Sequence, residues 1–423
     1  MTARFRVWFV NPYALPPDEA GAMRHFTLSN YLIQRGHQAL VIASPVHYLT
    51  RRRLEGRRGI QVIQAVPFVW IDAPPYHDNG LSRLRNSLVF ALRLLRLPLT
   101  QLPFLPDVII GSSPHPFGAW AAERIARRLR VPFVFEVRDL WPQSLIDLKT
   151  VSPSHPVVPV LRALERTLCH RAQRIFVLPS RAGEYLSRYG ILASKVVWMP
   201  NFIKLDMVPP PTPPPVQENF EVIYAGTVGV ANGVEILVEA FARLQEVSSK
   251  FTLRVIGDGV MRPIIAEQVK QQHLQNVVLE PPVPKTLLWQ RLQTAQAFGF
   301  VSKEPALFQW GMSPNKLYDY LALARPVIFA GRIPENPVEQ ADCGIVTEIN
   351  PASIAEAIHR LAHLSPEQRY EMGLRGRRYV ETYYSDEVIG RRLEEVMSNL
   401  MGNSSSKIPS SGVGGNENES VGA

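Results

Sequence analysis

Short apolar runs alternate with amphipathic stretches along most of this chain, in the rhythm of a strand followed by a helix. In the first half, strands are predicted at residues 7–10, 39–43, 60–66, 107–111, 131–137 and 174–178, with helices at 24–35 and 117–129. Gly36 ends the first helix, as glycine often does. Residues 81–97 form a further amphipathic helix, with Leu81, Leu84, Leu88, Leu92 and Leu95 in one stripe and Arg85, Arg93 and Arg96 placed opposite. That pattern suits a helix packed on a sheet and equally one lying on a membrane surface.

The run VPPPTPPPV at 208–216 breaks the rhythm and reads as a polyproline-type linker. Beyond it the alternation resumes, with strands at 222–225, 251–256, 277–279 and 297–301 and helices at 233–247, 263–272 and 284–293. The next stretch, MSPNKLYDYLALARPVIFA (312–330), predicts a helix with Ser313 as its cap and Pro314 in its first position. Leu317, Tyr320, Leu321 and Ala324 share one face, Pro326 stops the helix, and 327–330 is a strand. Helices are expected at 352–363, 366–383 and 385–400, and no structure in the Ser-, Gly- and Asn-rich tail. The chain therefore divides into a first lobe (1–205), a linker (206–217), a second lobe (218–383), a closing helix (384–401) and a tail (402–423). Strands alternating with helices predict α/β lobes with mostly parallel sheets.

A length of 423 residues agrees with two domains, and 46% hydrophobic with 20% charged residues with a globular chain. A net charge of +9 favours acidic partners: anionic lipid, nucleic acid or a phosphorylated substrate. The basic residues are scattered and no aromatic-basic recognition motif appears, which argues against nucleic acid. Cys169 and Cys343 are the two cysteines, too few and too far apart for a disulfide scaffold or zinc site, so a reducing, cytoplasmic setting is expected. The opening ARFRVWFVNP reads as a first strand rather than a leader, and no apolar run is long enough to span a membrane.

Ligands of open α/β sheets bind beyond the carboxyl ends of the strands, so the loops there hold the candidate chemistry. Gly21, after the first strand, permits close approach of a substrate. His115, in GSSPH, can exchange a hydrogen bond with a sugar or phosphate oxygen or be incidental to a capping loop. EVRDLWP (136–142) sets acids, Arg138 and Trp141 at one strand end, a mix that a structural loop rarely uses. Gly226 and Thr227, in YAGTVG, either let a backbone meet a diphosphate or merely serve a tight turn. Lys316 opposes the helix dipole in the first turn of its helix, unless an anion sits there. Asp319, one turn on, either accepts from vicinal hydroxyls or forms an intrahelical pair with a nearby lysine.

Taken together, FEVRDLWPQS, YAGTVGVANGVEILVEAF, VIGDG, SPNKLYDYLALARPVI and RGHQALVIAS resemble the family 4 retaining glycosyltransferases of GT-B fold. The bacterial fucosamine-transferase subgroup of surface-polysaccharide assembly is the nearest pattern. The resemblance runs from the first strand to about residue 400. It implies two Rossmann-like domains facing across a cleft, the second binding the donor, with a final helix crossing back to the first. It further implies a nucleoside diphosphate sugar donor, an N-acetylated amino sugar among the candidates, no obligatory metal, and a glycan or lipid-linked acceptor at the inner face of the cell membrane.

By position, Gly226, Thr227, Ser313 and Asn315 would approach the donor diphosphate, Lys316 would neutralise it, and Val283 would flank the base. Asp139, with Arg138 and Trp141, would face the acceptor or the reacting sugar. Asp319 holds the second acidic position of the family's Glu-x7-Glu motif and would bind ribose; the first falls at Gly311, for which Glu304 is the candidate substitute. The basic pair that often follows the Gly-rich turn is missing from 228–233. Two other readings share these residues: an epimerase of the same architecture, and a non-catalytic nucleotide-sugar binder.

Overall fold

The computed structural model describes residues 4–405 apart from Ala20, Asp78, Asn79, His115, Val216 and Glu304. Its first sheet contains β1 (Arg6–Val10), β2 (Gln38–Ala43), β3 (Gly59–Ile63), β4 (Val66–Trp70), β5 (Val108–Ser112), β6 (Phe133–Val137), β7 (Arg174–Val177) and β8 (Val196–Trp198). They lie in the order β3-β4-β2-β1-β5-β6-β7-β8, parallel except for the β3–β4 pair. The second sheet contains β9 (Phe220–Ala225), β10 (Phe251–Ile256), β11 (Val277–Glu280), β12 (Ala297–Val301), β13 (Val327–Ala330) and β14 (Gly344–Thr347). Its order is β11-β10-β9-β12-β13-β14, parallel throughout. Strand order reverses between β1 and β5 and again between β9 and β12, and a crevice opens at each such switch point.

The strand expected at 60–66 is instead a hairpin. Gln64 and Ala65 take positive φ values of 46° and 69° and turn the chain, without the glycine or asparagine that would have marked the turn. The Val157–Arg171 helix was not foreseen, because Glu165 lies buried within its stripe of Val158, Leu161 and Leu168.

The Leu81–Leu95 helix also departs from expectation. Asn86, Ser87, Phe90, Ala91 and Leu94 are the buried residues, facing the Pro116–Leu129 helix. Leu81, Leu84, Leu88 and Leu92 of the stripe are exposed, Leu95 is half-buried against the first-lobe core, and Arg85 and Arg96 lie exposed alongside the stripe rather than opposite.

The Pro-rich segment lies against the second lobe. The carbonyls of Pro211, Thr212 and Pro215 accept hydrogen bonds from Tyr370, Arg325 and Gln296 at 3.2, 2.7 and 2.9 Å. The last helix, Asp386–Ser405, returns to the first lobe and inserts Ile389, Leu393, Met397 and Leu400 into its core. Glu394 fixes it there, pairing with Arg35 at 2.8 Å and His37 at 3.1 Å. This helix runs past 401 into the segment expected to lack structure; residues 406–423 lie outside the described residues. Among the described residues, no helix is long and apolar enough to cross a membrane.

Candidate active site

The crevice at β9 and β12 begins where β9 ends. Gly226 follows the strand, and its backbone is braced by the turn after β10. A Cβ on Gly257 would lie 1.9 Å from the Gly226 carbonyl oxygen, so only glycine lets the two turns nest. Lys316 reaches over Gly226, with its Cε 3.5 Å and its Nζ 3.8 Å from where a Cβ there would lie.

The ammonium of Lys316 donates to the Tyr224 hydroxyl at 2.6 Å and lies over the Tyr224 and Phe300 rings, 4.4 and 5.1 Å from their centroids. With its amide turned to suit both neighbours, Asn232 donates to the Thr227 carbonyl at 2.9 Å and accepts from Lys316 at 3.0 Å. Among the described residues, no carboxylate forms an ion pair with Lys316. Burial pushes its pKa down to about 7.

Lys316 belongs to the Asn315–Ala322 helix, which begins one residue later than expected and has no side-chain cap. Ser313 is engaged elsewhere. Its Oγ accepts from the Asn201 backbone N–H at 2.6 Å and lies 3.0 Å from the Tyr318 hydroxyl, while its carbonyl accepts from Asn201 Nδ2 at 2.6 Å. Diverting Ser313 to the junction of the lobes leaves the helix's N-terminus uncapped beside a half-buried cation. That pairing is suited to an anion.

Asp319 is 4% exposed, and both of its oxygens are occupied. Trp289 Nε1 donates to one at 3.0 Å, and Lys285 pairs with the other. Asp319, Asn315 and Lys285 line a recess whose opposite wall is Gly21, Ala22 and Arg24 of the first lobe. Val283 packs on the second-lobe core.

In the first lobe, Glu136 at the end of β6 is the hub of a buried cluster. Arg24 Nε, His25 Nε2 and Ser112 Oγ lie 2.8, 2.8 and 2.6 Å from its oxygens. Burial works to raise the pKa of Glu136, but Arg24 and then His25 outweigh it and hold the carboxyl well below its usual range. Burial lowers the pKa of His25 despite the nearby carboxylate. The remaining donors of Arg24 reach the carbonyls of Pro200 and Met199, the latter at 2.8 Å, which ties this cluster to the chain that leads to Asn201 and Ser313.

Arg138 and Asp139, just beyond β6, line a second recess with Asn201 and residues 310–314 of the other lobe. Loss of water from its surroundings in the recess pushes the pKa of Asp139 up, against the charges of Arg138 and Arg83, although the residue keeps an exposed edge. Trp141 is absent from the lining of this recess; its backbone N–H donates to buried Glu165 at 2.9 Å. Burial pushes Glu165 up to about 8.

The missing first acid has a steric explanation. Trp310 of the second lobe is inserted into the first-lobe core, edge-on to Tyr185 at 5.8 Å and beneath Arg188 at 4.6 Å. Gly311 follows with φ +90°, and a Cβ there would lie 2.6 Å from Ser180 Oγ and 2.9 Å from its nitrogen. No acid fits at 311 while the lobes meet in this way. Gly311→Glu is therefore expected to destabilise the protein by ~2–4 kcal/mol in urea unfolding rather than to supply a donor contact.

The structure thus brings Lys316, Gly226, Thr227, Asn315 and Ser313 to the second-lobe side of the cleft, with Gly21, Arg138 and Asp139 across from them. His115 and Glu304 lie outside the described residues. The sequence reading missed Asn201, Asn232, Lys285 and Trp310. Of these, only Asn232 carried a signal, since it lies within the Gly-rich turn where basic residues had been sought.

Two Rossmann-like lobes, with a cation and a glycine turn at the second switch point and a last helix returning to the first lobe, make up the GT-B fold. The solved structure of sucrose-phosphate synthase from Thermosynechococcus elongatus superposes with a TM-score of 0.76 at 15% identity, covering 95% of this chain and all of that one. Anabaena HepE in complex with UDP-glucose gives 0.67 at 14%, covering 94% of this chain and all of that one. The chain belongs to the glycosyl transferases, with a glycosyl transferase 4-like domain over residues 25–201 and a glycosyl transferases group 1 domain over residues 219–363. A relative in Escherichia coli (strain K12), the putative colanic acid biosynthesis glycosyl transferase WcaI, is 22% identical over 313 residues, covering 69% of this chain and 75% of its own.

Proposed function

We propose that this glycosyltransferase moves a sugar from a nucleoside diphosphate donor to a glycan or lipid-linked acceptor, with retention at the anomeric carbon, in surface-polysaccharide assembly. One observation carries the reading: a half-buried lysine that has no carboxylate partner among the described residues, beside an uncapped helix end at the β9–β12 switch point. Both features favour a diphosphate there. The UDP-glucose complex of HepE and the colanic acid role in the name of the E. coli relative support the donor class and the pathway class. The resemblance to fucosamine transferases favours an N-acetylated amino sugar and a site of action at the inner face of the membrane.

In this mechanism the acceptor hydroxyl attacks the anomeric carbon from the side that the diphosphate leaves. The bond from carbon to the diphosphate oxygen breaks, and that oxygen takes the hydroxyl proton. Lys316 and the backbone N–H groups at Asn315 offset the charge on the leaving group, without an obligatory metal ion. Asp139 and Arg138 orient the acceptor. Asp319 binds ribose only after exchanging Lys285 or Trp289 for the ribose hydroxyls.

A screen of nucleoside diphosphates and their sugars by thermal stabilisation tests the reading. At least one should stabilise the protein, and none should stabilise Lys316→Met to the same extent. No stabilisation by any of them would remove the donor assignment. Donor affinity should also depend on pH. The diphosphate binds the protonated ammonium, and the free protein holds that proton only up to about pH 7. Affinity for a nucleoside diphosphate sugar should therefore fall by up to roughly tenfold per pH unit above that point, read by calorimetry with proton uptake on binding.

A further inference from the structure

The outward face of the Leu81–Leu95 helix takes no part in the site or the core. Helical geometry stacks residues 81, 84, 88 and 92 along one line. All four are leucines, exposed by 83, 38, 40 and 46%. Burial on the opposite side already anchors the helix through Phe90, Ala91 and Leu94, so folding does not require leucines on the outside.

Charge narrows what covers them. Arg85 and Arg96 flank the line, both exposed and without an ion pair among the described residues. Among the described residues, the acid that forms an ion pair with this helix, Asp72, is shared between Arg93 and Arg53, and Arg85 and Arg96 remain unpaired on the outward side. An apolar protein groove would accommodate the leucines alone. An anionic bilayer accommodates both, with leucines at the acyl boundary and arginines at the lipid phosphates.

We propose that this face seats the protein on an anionic lipid bilayer. The inference deepens the transferase reading and rests on it for its consequence. The inner side of the same helix carries Arg83, whose Nε donates to the Tyr13 hydroxyl at 3.2 Å and whose charge is felt at Asp139. One helix therefore joins the lipid surface to the acceptor end of the cleft, so a lipid-linked acceptor would arrive beside Asp139 without leaving the membrane.

The full chain should be sedimented with vesicles of phosphatidylcholine alone and with vesicles that also contain phosphatidylglycerol. Wild type should bind the second kind. The triple variant Leu84→Ser/Leu88→Ser/Leu92→Ser should bind them at least roughly tenfold more weakly, and Arg85→Ser/Arg96→Ser should lose the preference for phosphatidylglycerol. Both variants should keep wild-type stabilisation by the nucleotide, which shows that they are folded and separates this claim from the donor assignment. Three results would overturn the proposal: no vesicle binding by a wild type that still responds to nucleotide, equal binding by the leucine variant, or a wild-type dimer that the leucine variant dissolves. In the last case a second copy of the chain is what covers the face. Failure of nucleotide stabilisation with vesicle binding intact would remove the transferase reading and leave the docking surface standing.

Discussion

Lys316→Met should lose turnover by roughly 10²–10³-fold while making the ligand-free protein more stable. The two effects have opposite signs because one group serves two states. In the proposed reaction the ammonium meets charge that develops on the leaving diphosphate, in a site screened from water, where such an interaction is strongest. In the ligand-free protein the same half-buried ammonium has exchanged much of its water for a phenol hydroxyl and two ring faces, with no carboxylate in return among the described residues.

The lowered pKa expresses that cost. Between about 7 and the ordinary lysine value of 10.5 the unfolded chain holds a proton that the folded chain has released. The lysine therefore lowers stability most below about pH 7, and its penalty disappears as pH rises toward 10.5. Methionine fills similar space with no charge, so the variant should gain ~1–3 kcal/mol near neutral pH and lose that advantage in alkali. Chemical denaturation at two pH values, beside steady-state kinetics, checks both halves. An unchanged turnover would end the assignment of Lys316.

The second large effect is expected at Glu136. Glu136→Gln removes the carboxylate from a guanidinium and an imidazole that are both buried. The loss should be ~3–5 kcal/mol, because Arg24 then keeps a buried charge with only carbonyls to hold it. Removing both charges in Glu136→Gln/Arg24→Met should recover part of the loss, as the two groups act as one unit. The folded pKa of Glu136 is depressed, so its contribution is complete above the unfolded value near 4.5 and is lost as pH falls below it. Acid unfolding of wild type should accordingly steepen below about pH 4.5, and that steepening should be weaker in Glu136→Gln. A wild-type melting temperature in Glu136→Gln would show that the cluster is not a stabilising hub.

The legibility of this protein varied with the range of the forces involved. Strands such as β10 and β13 were read to within a residue because their apolar runs end at Gly257 or begin after Pro326, and such punctuation is local. The β3–β4 turn was missed because Gln64 and Ala65 bear no turn chemistry of their own. Lys316 was singled out on a local oddity, a cation at the wrong helix end. Its setting, by contrast, comes from Tyr224, Phe300 and Asn232 on three other segments. Ser313 looked like a cap and became an inter-lobe contact, because Asn201 from the first lobe competes for it.

By itself the sequence determined the alternation of strands and helices, the two lobes and the loops at the strand ends, since periodicity and punctuation act over a few residues. Only the tertiary structure decided which charges are paired, which leucines face outward and why residue 311 must be glycine. Those outcomes depend on burial and on close approach between segments far apart in the chain, and neighbours in sequence carry no record of either.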